Sequence, residues 1–441
     1  MKKKQGKARW LILLVICFMY LITFMDRTNI SIAAPYISKE FEFNQVTMGF
    51  IFSAFTWAYA IGQLPGGWFG DKFGPRNILT IIVSFWSLMT MVTAHAVGYY
   101  SFLIIRFLFG LGEAGAFPTA TRAMQLWFAK EERGFVQGLT HAFSRLGAAI
   151  VPPLAVSIIA VWGWRSLFYI FGAAGIIWAI LFFIVYRNIP EEHKWVKKEE
   201  LIHIRGLDEK GNVNKPINLK NKSKVPWKAI FSSSNMWFLM IVWFCWNYAN
   251  YFFITWLPTY LLEYRHFSIV KMGFLASLPL LAGMVGDLVG GFVSDKVLKK
   301  SNSIKLARKI VAIPGLIGAA ICLIPAATIE NPLMSVYCLS ASAFFLECVN
   351  STTWATAMDV GGEYSGTVSG VMNMAGNIAG ALSPIIFGIL VQGGSWNLPF
   401  YISTGILLVG SFIWAFFLNP NRSVVEKLNL KGKITLKEHI K

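Results

Sequence analysis

Asp26, Arg27, Arg106 and Glu113 carry full charges inside runs of sequence that are otherwise apolar and about long enough to cross a bilayer. A charge at that depth is costly unless it meets a partner, an anion or water, so such residues mark ion and substrate pathways. Arg106 and Glu113 are seven residues apart, two turns along one face of a helix, and can share a cavity. Burial favours a protonated carboxyl and a nearby guanidinium favours the carboxylate, so a carboxylate whose cationic partner comes and goes is a switchable proton carrier. The plainer alternative is a fixed buried ion pair that joins helices. Asp26 and Arg27 are adjacent, so on a regular helix they diverge by roughly 100° and need not neutralise each other. A guanidinium so placed can grip a carboxylate through two parallel hydrogen bonds.

The elements that must position these residues are membrane helices. The 441 residues are 55% hydrophobic and 14% charged, with a mean hydropathy of +0.54, a balance typical of a polytopic membrane protein. Apolar segments of spanning length are predicted near residues 10–36, 46–69, 78–96, 99–127, 134–160, 165–187, 236–262, 268–295, 308–328, 332–358, 364–392 and 398–418. The expected fold is an all-α membrane protein of twelve transmembrane helices in two six-helix bundles, 1–190 and 234–420. A cytoplasmic linker at 191–233, with a short amphipathic helix around 196–207, and a cytoplasmic tail at 421–441 complete the chain.

The net charge of +18 is distributed in a way that argues against nucleic acid as a partner. With both termini inside, the outer loops hold only Lys39, Arg165, Arg265 and Lys271, the positive-inside asymmetry. The runs Lys2–Lys4 and Lys299–Lys300 then set topology and attract anionic lipid heads. The N-terminal run could imitate a secretion signal, but Asp26 and Arg27 interrupt it and no small-residue cleavage site follows. Five cysteines without CxxC spacing and six scattered histidines suggest neither a disulfide framework nor a metal site, and no cofactor is expected.

The halves repeat. Gly62 to Lys72 recurs as Gly286 to Lys296, 224 residues on, and Gly134, Gly138 and Pro153 are paralleled by Gly366, Gly370 and Pro384. Duplicated halves about a central axis are a common transporter plan, with the substrate expected near the midplane between them.

Gly67-x-x-x-Asp71-Lys72-x-Gly74-Pro75-Arg76 resembles the loop signature of the major facilitator superfamily, and the resemblance covers nearly the whole chain. Within it, Asp26-Arg27, Phe52 to Tyr59, Arg106 through Glu113 to Phe117-Pro118, Ser351 to Trp354, and Asn373 with Asn377 resemble the anion:cation symporter family. That family includes bacterial sugar-acid permeases and, more distantly, sialin and the vesicular glutamate transporters. The resemblance implies that Asp26 and Glu113 are protonation sites, that Arg106 interacts with them, and that Arg27 and Tyr59 hold the substrate carboxylate. Ser351, Thr353, Trp354, Asn373 and Asn377 match substrate-facing positions, and neutral hydrogen-bonding groups with an aromatic face suit a polyhydroxylated chain. Ser and Thr in membrane helices also often bond only their own backbone or a neighbour. Asp71 and Arg76, with Arg133, fit a conformational latch at the inner helix ends.

Some residues depart from the sugar-acid pattern. His141 and Arg145 sit four apart on the fifth span, and an Arg145 facing the cavity would favour a dianion or a bulkier acid. Asp287 stands where Gln63 does in the repeat, and Glu347 and Asn350 precede Ser351. The fifth span also lacks the complete Gly-Pro run of drug-exporting antiporters, which favours uptake. The resulting expectation is a monomeric, proton-coupled importer of an organic anion, a sugar acid such as an aldonate, aldarate or hexuronate, in the cell membrane. Organophosphate exchange using Arg27, Arg106 and Arg145, and a sensor that keeps the transporter fold, are the rivals. An enzyme is least expected, because the sequence shows no nucleophile with its base and no phosphate-cradling loop.

Overall fold

The computed structural model describes residues 8–129, 132–206, 226–361 and 364–423, with backbone alone at 64, 67, 68, 71, 133–135, 137, 365 and 366. By contacts the chain divides into two compact units, one containing 8–43 and 54–206 and the other 44–53 and 226–423. The first is built from α1 (Ala8–Phe41), the part of α2 (Gln45–Phe73) from residue 54 on, α3 (Pro75–Thr93), α4 (Tyr99–Glu113), α5 (Ala116–Trp127), α6 (Arg133–Trp162) and α7 (Trp164–Val185). A short helix, α8 (Lys198–Arg205), follows where the amphipathic segment is expected. The second unit contains α9 (Trp227–Phe231), α10 (Ser234–Thr255), α11 (Leu257–Thr259), α12 (Ile269–Ser301), α13 (Ile304–Thr328), α14 (Pro332–Gly361), α15 (Ser365–Gln392) and α16 (Leu398–Phe416). Among the described residues, 11 helices are long and apolar enough to cross a membrane, with α4 and α5 counted as one. Helix α2, at 29 residues, is a further long helix.

Two predicted spans are interrupted. The fourth, expected unbroken over 99–127, turns at Ala114 and Gly115 between α4 and α5. The seventh, expected to reach 262, ends as α-helix at Thr255 and continues through α11 into a π-helical turn at Tyr260–Tyr264. Pro258 lies at that junction; it lacks the N–H that regular i→i−4 bonding requires, and a single π turn accommodates such a local mismatch.

In the first unit α1 packs chiefly on α6 and α7, and α3 on α7 and α4; in the second, α12 and α13 pack on α14, and α10 on α15 and α16. At Gly147 of α6 an added Cβ would strike the Leu21 carbonyl of α1, and at Gly110 of α4 it would strike the Phe55 carbonyl of α2. These two glycines therefore let backbones approach without intervening side chains, the small-residue packing usual between membrane helices. They bring α1, α2, α4 and α6 close enough to share side-chain contacts.

Helix α8 has Glu199 and Glu200 in its first turn and His203 and Arg205 in its last, matching the helix dipole. Buried Glu200 accepts from the Arg9 backbone N–H at 3.0 Å, while Glu132 receives Arg9 at 3.1 Å and His203 at 3.0 Å. In the second unit Asn235, at the start of α10, donates to the carbonyls of Asn419 and Arg422 at 2.9 and 2.8 Å and accepts from the Asn419 N–H at 3.0 Å. This amide clamps the segment after α16 to the unit's first long helix.

Candidate functional site

The charged site lies wholly within the first unit. Arg27 Nε, on α1, donates to Glu113 Oε1 at the end of α4, and a second guanidinium nitrogen reaches the same oxygen. Glu113 is fully buried, and its Oε2 has no hydrogen-bond partner among the described residues. Around the Arg27 guanidinium stand four aromatic rings, with centroids 5.1 Å away for Phe24, 5.3 Å for Phe55, 4.7 Å for Tyr59 and 5.2 Å for Phe117. Each ring face attracts the cation, so the arginine is held in place by α1, α2 and α5 as well as by its carboxylate.

Asp26 points elsewhere, as the divergence of adjacent helical residues requires. It is fully buried, accepts from the Trp86 indole N–H of α3 at 3.1 Å, and has no donor to its Oδ1 among the described residues. Each carboxyl group thus has one oxygen that accepts a hydrogen bond and one buried oxygen without a hydrogen-bond partner among the described residues. Arg106 lies within electrostatic reach of both, yet it is stacked on Phe55 at 5.2 Å and Phe109 at 4.6 Å, and its buried Nε has no hydrogen-bond partner among the described residues. Seven residues of helix rise about 10 Å at ~1.5 Å each, which explains why the direct partner of Glu113 is Arg27 and not Arg106.

A second strip continues from this cage. Phe117 also meets Tyr20, at 4.7 Å between centroids, and Tyr20 meets His141 of α6 edge to face at 5.9 Å. The half-buried Arg145 stands one turn further along α6. Tyr20, Phe24 and Arg27 are spaced four and three residues apart, so one face of α1 carries the strip.

The second unit gathers mostly neutral groups. Trp243 and Trp246 of α10 stack at 4.6 Å with planes 1° apart. Trp354 of α14 meets Trp243 edge to face at 5.7 Å, and the Trp243 indole N–H donates to Asn373 Oδ1 of α15 at 3.4 Å. Ser351 Oγ is buried with no hydrogen-bond partner among the described residues. Thr353 is fully buried and donates to its own helix at Val349 O, 2.8 Å away, so it packs α14 instead of facing a cavity. Asn377 is buried on α15, one turn beyond Asn373. An acidic patch flanks this cluster, where Asn350 donates to Asp287 Oδ1 at 3.3 Å and Glu347 lies buried against Gly283.

Of the expected latch residues, Arg76 donates through Nε and a terminal nitrogen to the Phe183 carbonyl at 3.0 and 2.8 Å, capping the end of α7. The side chains of Asp71 and Arg133 lie outside the described residues. Phe55 and Phe117 lie in runs that carry the family resemblance, whereas Trp86, Phe24, Trp243 and Trp246 are site residues that the sequence does not single out. Only the position of Phe24, one turn before Arg27, was open to the i, i+3 rule; the others are brought in by tertiary packing. Among the described residues no group of three or more His, Cys, Asp or Glu is placed to hold a metal ion.

Residues 16–384 match the family model of the major facilitator superfamily. The probable sulfoacetate transporter of Cupriavidus necator is 40% identical over 419 residues, 95% of this chain and 95% of that protein. The probable galactarate/D-glucarate transporter of Bacillus subtilis is 34% identical over 441 residues, with 96% and 95% covered. The D-galactonate transporter of Escherichia coli is 32% identical over 427 residues, with 96% and 98% covered. A crystal structure of a bacterial homologue of the human lysosomal transporter Spinster superposes with a TM-score of 0.76 over 93% of this chain and 97% of the other, at 17% identity, and shares the fold.

Proposed function

The chain belongs to the major facilitator superfamily, and from that premise we propose that it imports a small organic anion together with protons by alternating access, as a multi-pass transporter with both termini in the cytoplasm. Relatives along its full length carry organic anions. Sulfoacetate, galactarate, glucarate and galactonate share a carboxylate, and an aromatic-caged Arg27 with Tyr59 beside it suits that group. The substrate class proposed is a hydroxylated or sulfonated carboxylic acid, with Arg145 favouring a second anionic group.

The observation that carries this reading is the Arg27–Glu113 pair. A substrate carboxylate that takes Arg27 must displace Glu113, and a buried carboxylate stripped of its cation is strongly disfavoured unless it gains a proton. Substrate binding and protonation are thereby linked through one guanidinium. Asp26 supplies a second protonatable group, beside Trp86 and Thr90, and Arg106 biases both electrostatically. Ser351, Trp354, Asn373 and Asn377 of the second unit recognise the rest of the substrate, and Thr353 positions them. Asp71, Arg76 and Arg133 serve conformational control.

The test is uptake of sulfoacetate, galactarate, glucarate and galactonate into proteoliposomes with and without an imposed inward proton gradient. Accumulation of at least one acid that collapses with the gradient is expected. Uptake indifferent to a verified gradient would overturn coupling, and failure of every acid would overturn the substrate class.

A further inference from the structure

At the end of the second unit where α10 and α13 begin and α16 finishes, there is a cavity of about 220 Å³. At ~30 Å³ of liquid volume per water it has room for roughly seven waters, or for a phosphate group with part of its shell. Lys305 and Lys309 of α13 line it one helical turn apart, Arg422 joins them from the segment after α16, and among the described residues no acidic one lines it. Like charges at i and i+4 destabilise a helix, and here an anion between them would reverse that sign. Lys309 Nζ donates to the Ala415 carbonyl at 2.7 Å, which holds the ammonium at the wall. The Asn235 clamp fixes the opposite wall by tying down Asn419 and Arg422. The first turns of α10 and α13 also border the cavity, and the positive ends of helix dipoles favour an anion there.

Beside this basic cavity the surface is apolar. Phe412, Phe416 and Phe417 are 56%, 72% and 50% exposed, and their rings run in contact along α16, with Phe238 of α10 against Phe417 at 5.3 Å. A free anion has no use for such a strip, whereas a molecule with a phosphate head and acyl chains uses both. We propose that this cavity is a headgroup site for an anionic phospholipid, with the phosphodiester between Lys305 and Lys309 and the chains along the α16 phenylalanines. Basic pockets between membrane helices on the cytoplasmic side suit this ligand class, and the expected topology puts this end of the unit on that side. The inference is independent of which acid is transported and of proton coupling.

The experiment uses the full-length protein, delipidated in neutral detergent and titrated with short-chain phosphatidylglycerol, short-chain phosphatidylcholine or inorganic phosphate, read by native mass spectrometry and thermal shift. Phosphatidylglycerol should bind and raise the melting temperature, and the other two should not at equal concentration. Lys305→Gln should weaken binding about five-fold, Lys305→Gln with Arg422→Gln about thirty-fold, and Lys305→Arg should restore the wild-type value. If the double variant does not fold, the single variant carries the test. Lys299→Gln with Lys300→Gln, at the end of α12 and outside the cavity, should change little. Undiminished phosphatidylglycerol affinity in the Lys305 variant would overturn the site, as would an equal loss in the Lys299/Lys300 control, which means diffuse attraction. Binding of inorganic phosphate as tight as that of the lipid would replace the proposal with a free-anion site.

Discussion

The first unit collects ionic side chains, Asp26, Arg27, Arg106 and Glu113, inside a shell of aromatic rings, whereas the second collects indoles, carboxamides and a hydroxyl around Trp243, Trp354, Asn373 and Ser351. The contrast follows from what each kind of group does in a poorly solvated site. Full charges discriminate strongly and change state with a proton, but each must be compensated to be tolerated. Neutral donors and acceptors discriminate less, add little cost when empty, and tolerate a ligand of variable length. On the proposed reading, a duplicated chain has specialised one copy for charge and coupling and left the other for shape and hydrogen bonding. Asp287 and Glu347, beside this neutral cluster, resist the division.

Breaking the ionic copy should have the largest effect. Arg27→Ala removes the proposed carboxylate partner and strands Glu113, so anion affinity should fall by at least about a hundred-fold, the range found when one member of a buried charged pair is truncated. Calorimetric titration checks this, and wild-type affinity would end the assignment. Adding Glu113→Gln to Arg27→Ala should recover part of the lost thermal stability without recovering binding, because the stranded charge has been removed. Next in size, Glu113→Gln alone should keep substrate counterflow while abolishing accumulation driven by a proton gradient. Persistent gradient-driven accumulation would move the proton site to Asp26 alone or to Glu347.

Smaller effects sharpen the comparison. Arg145→Gln should reduce uptake of a dicarboxylate about ten-fold and a monocarboxylate of equal length about two-fold, the scale of one charge-assisted hydrogen bond in a solvated site; equal losses would make Arg145 structural. Asn373→Ala, in the neutral copy, should raise KM for a polyhydroxylated acid about three-fold and leave proton coupling intact. A coupling defect in Asn373→Ala would show that the two copies do not divide the work in this way.

Much of the helix pattern is legible in the sequence because a membrane imposes long apolar runs, and the duplication shows in Gly62–Lys72 and Gly286–Lys296. The intramembrane charges stand out for the same reason. Their pairing was harder to see. The same-face argument joins Arg106 to Glu113, but helix rise separates them, and Arg27 reaches Glu113 across from α1 to α4, a tertiary approach that sequence spacing does not show. Trp86 could not be chosen as the partner of Asp26 from sequence, since one of 17 tryptophans carries no local mark of its role. Thr353 shows the opposite failure, a residue of suitable chemistry whose hydroxyl turns back to Val349. The end of α10 is not marked in the sequence because α11 and the π turn continue the apolar run while altering the backbone.

The Asn235 clamp has a consequence for biogenesis. Its amide lies at the beginning of the first long helix of the second unit, and its partners, Asn419 and Arg422, are synthesised almost two hundred residues later. Until they emerge, the amide that will be buried has no native partners, and an unmet buried polar group favours local opening. Insertion of α10 through α15 can thus proceed in order while the unit remains unlatched. A nascent chain halted before Asn419 should therefore lack the three hydrogen bonds that hold the start of α10, and limited proteolysis of such a truncated chain should cut first at that end.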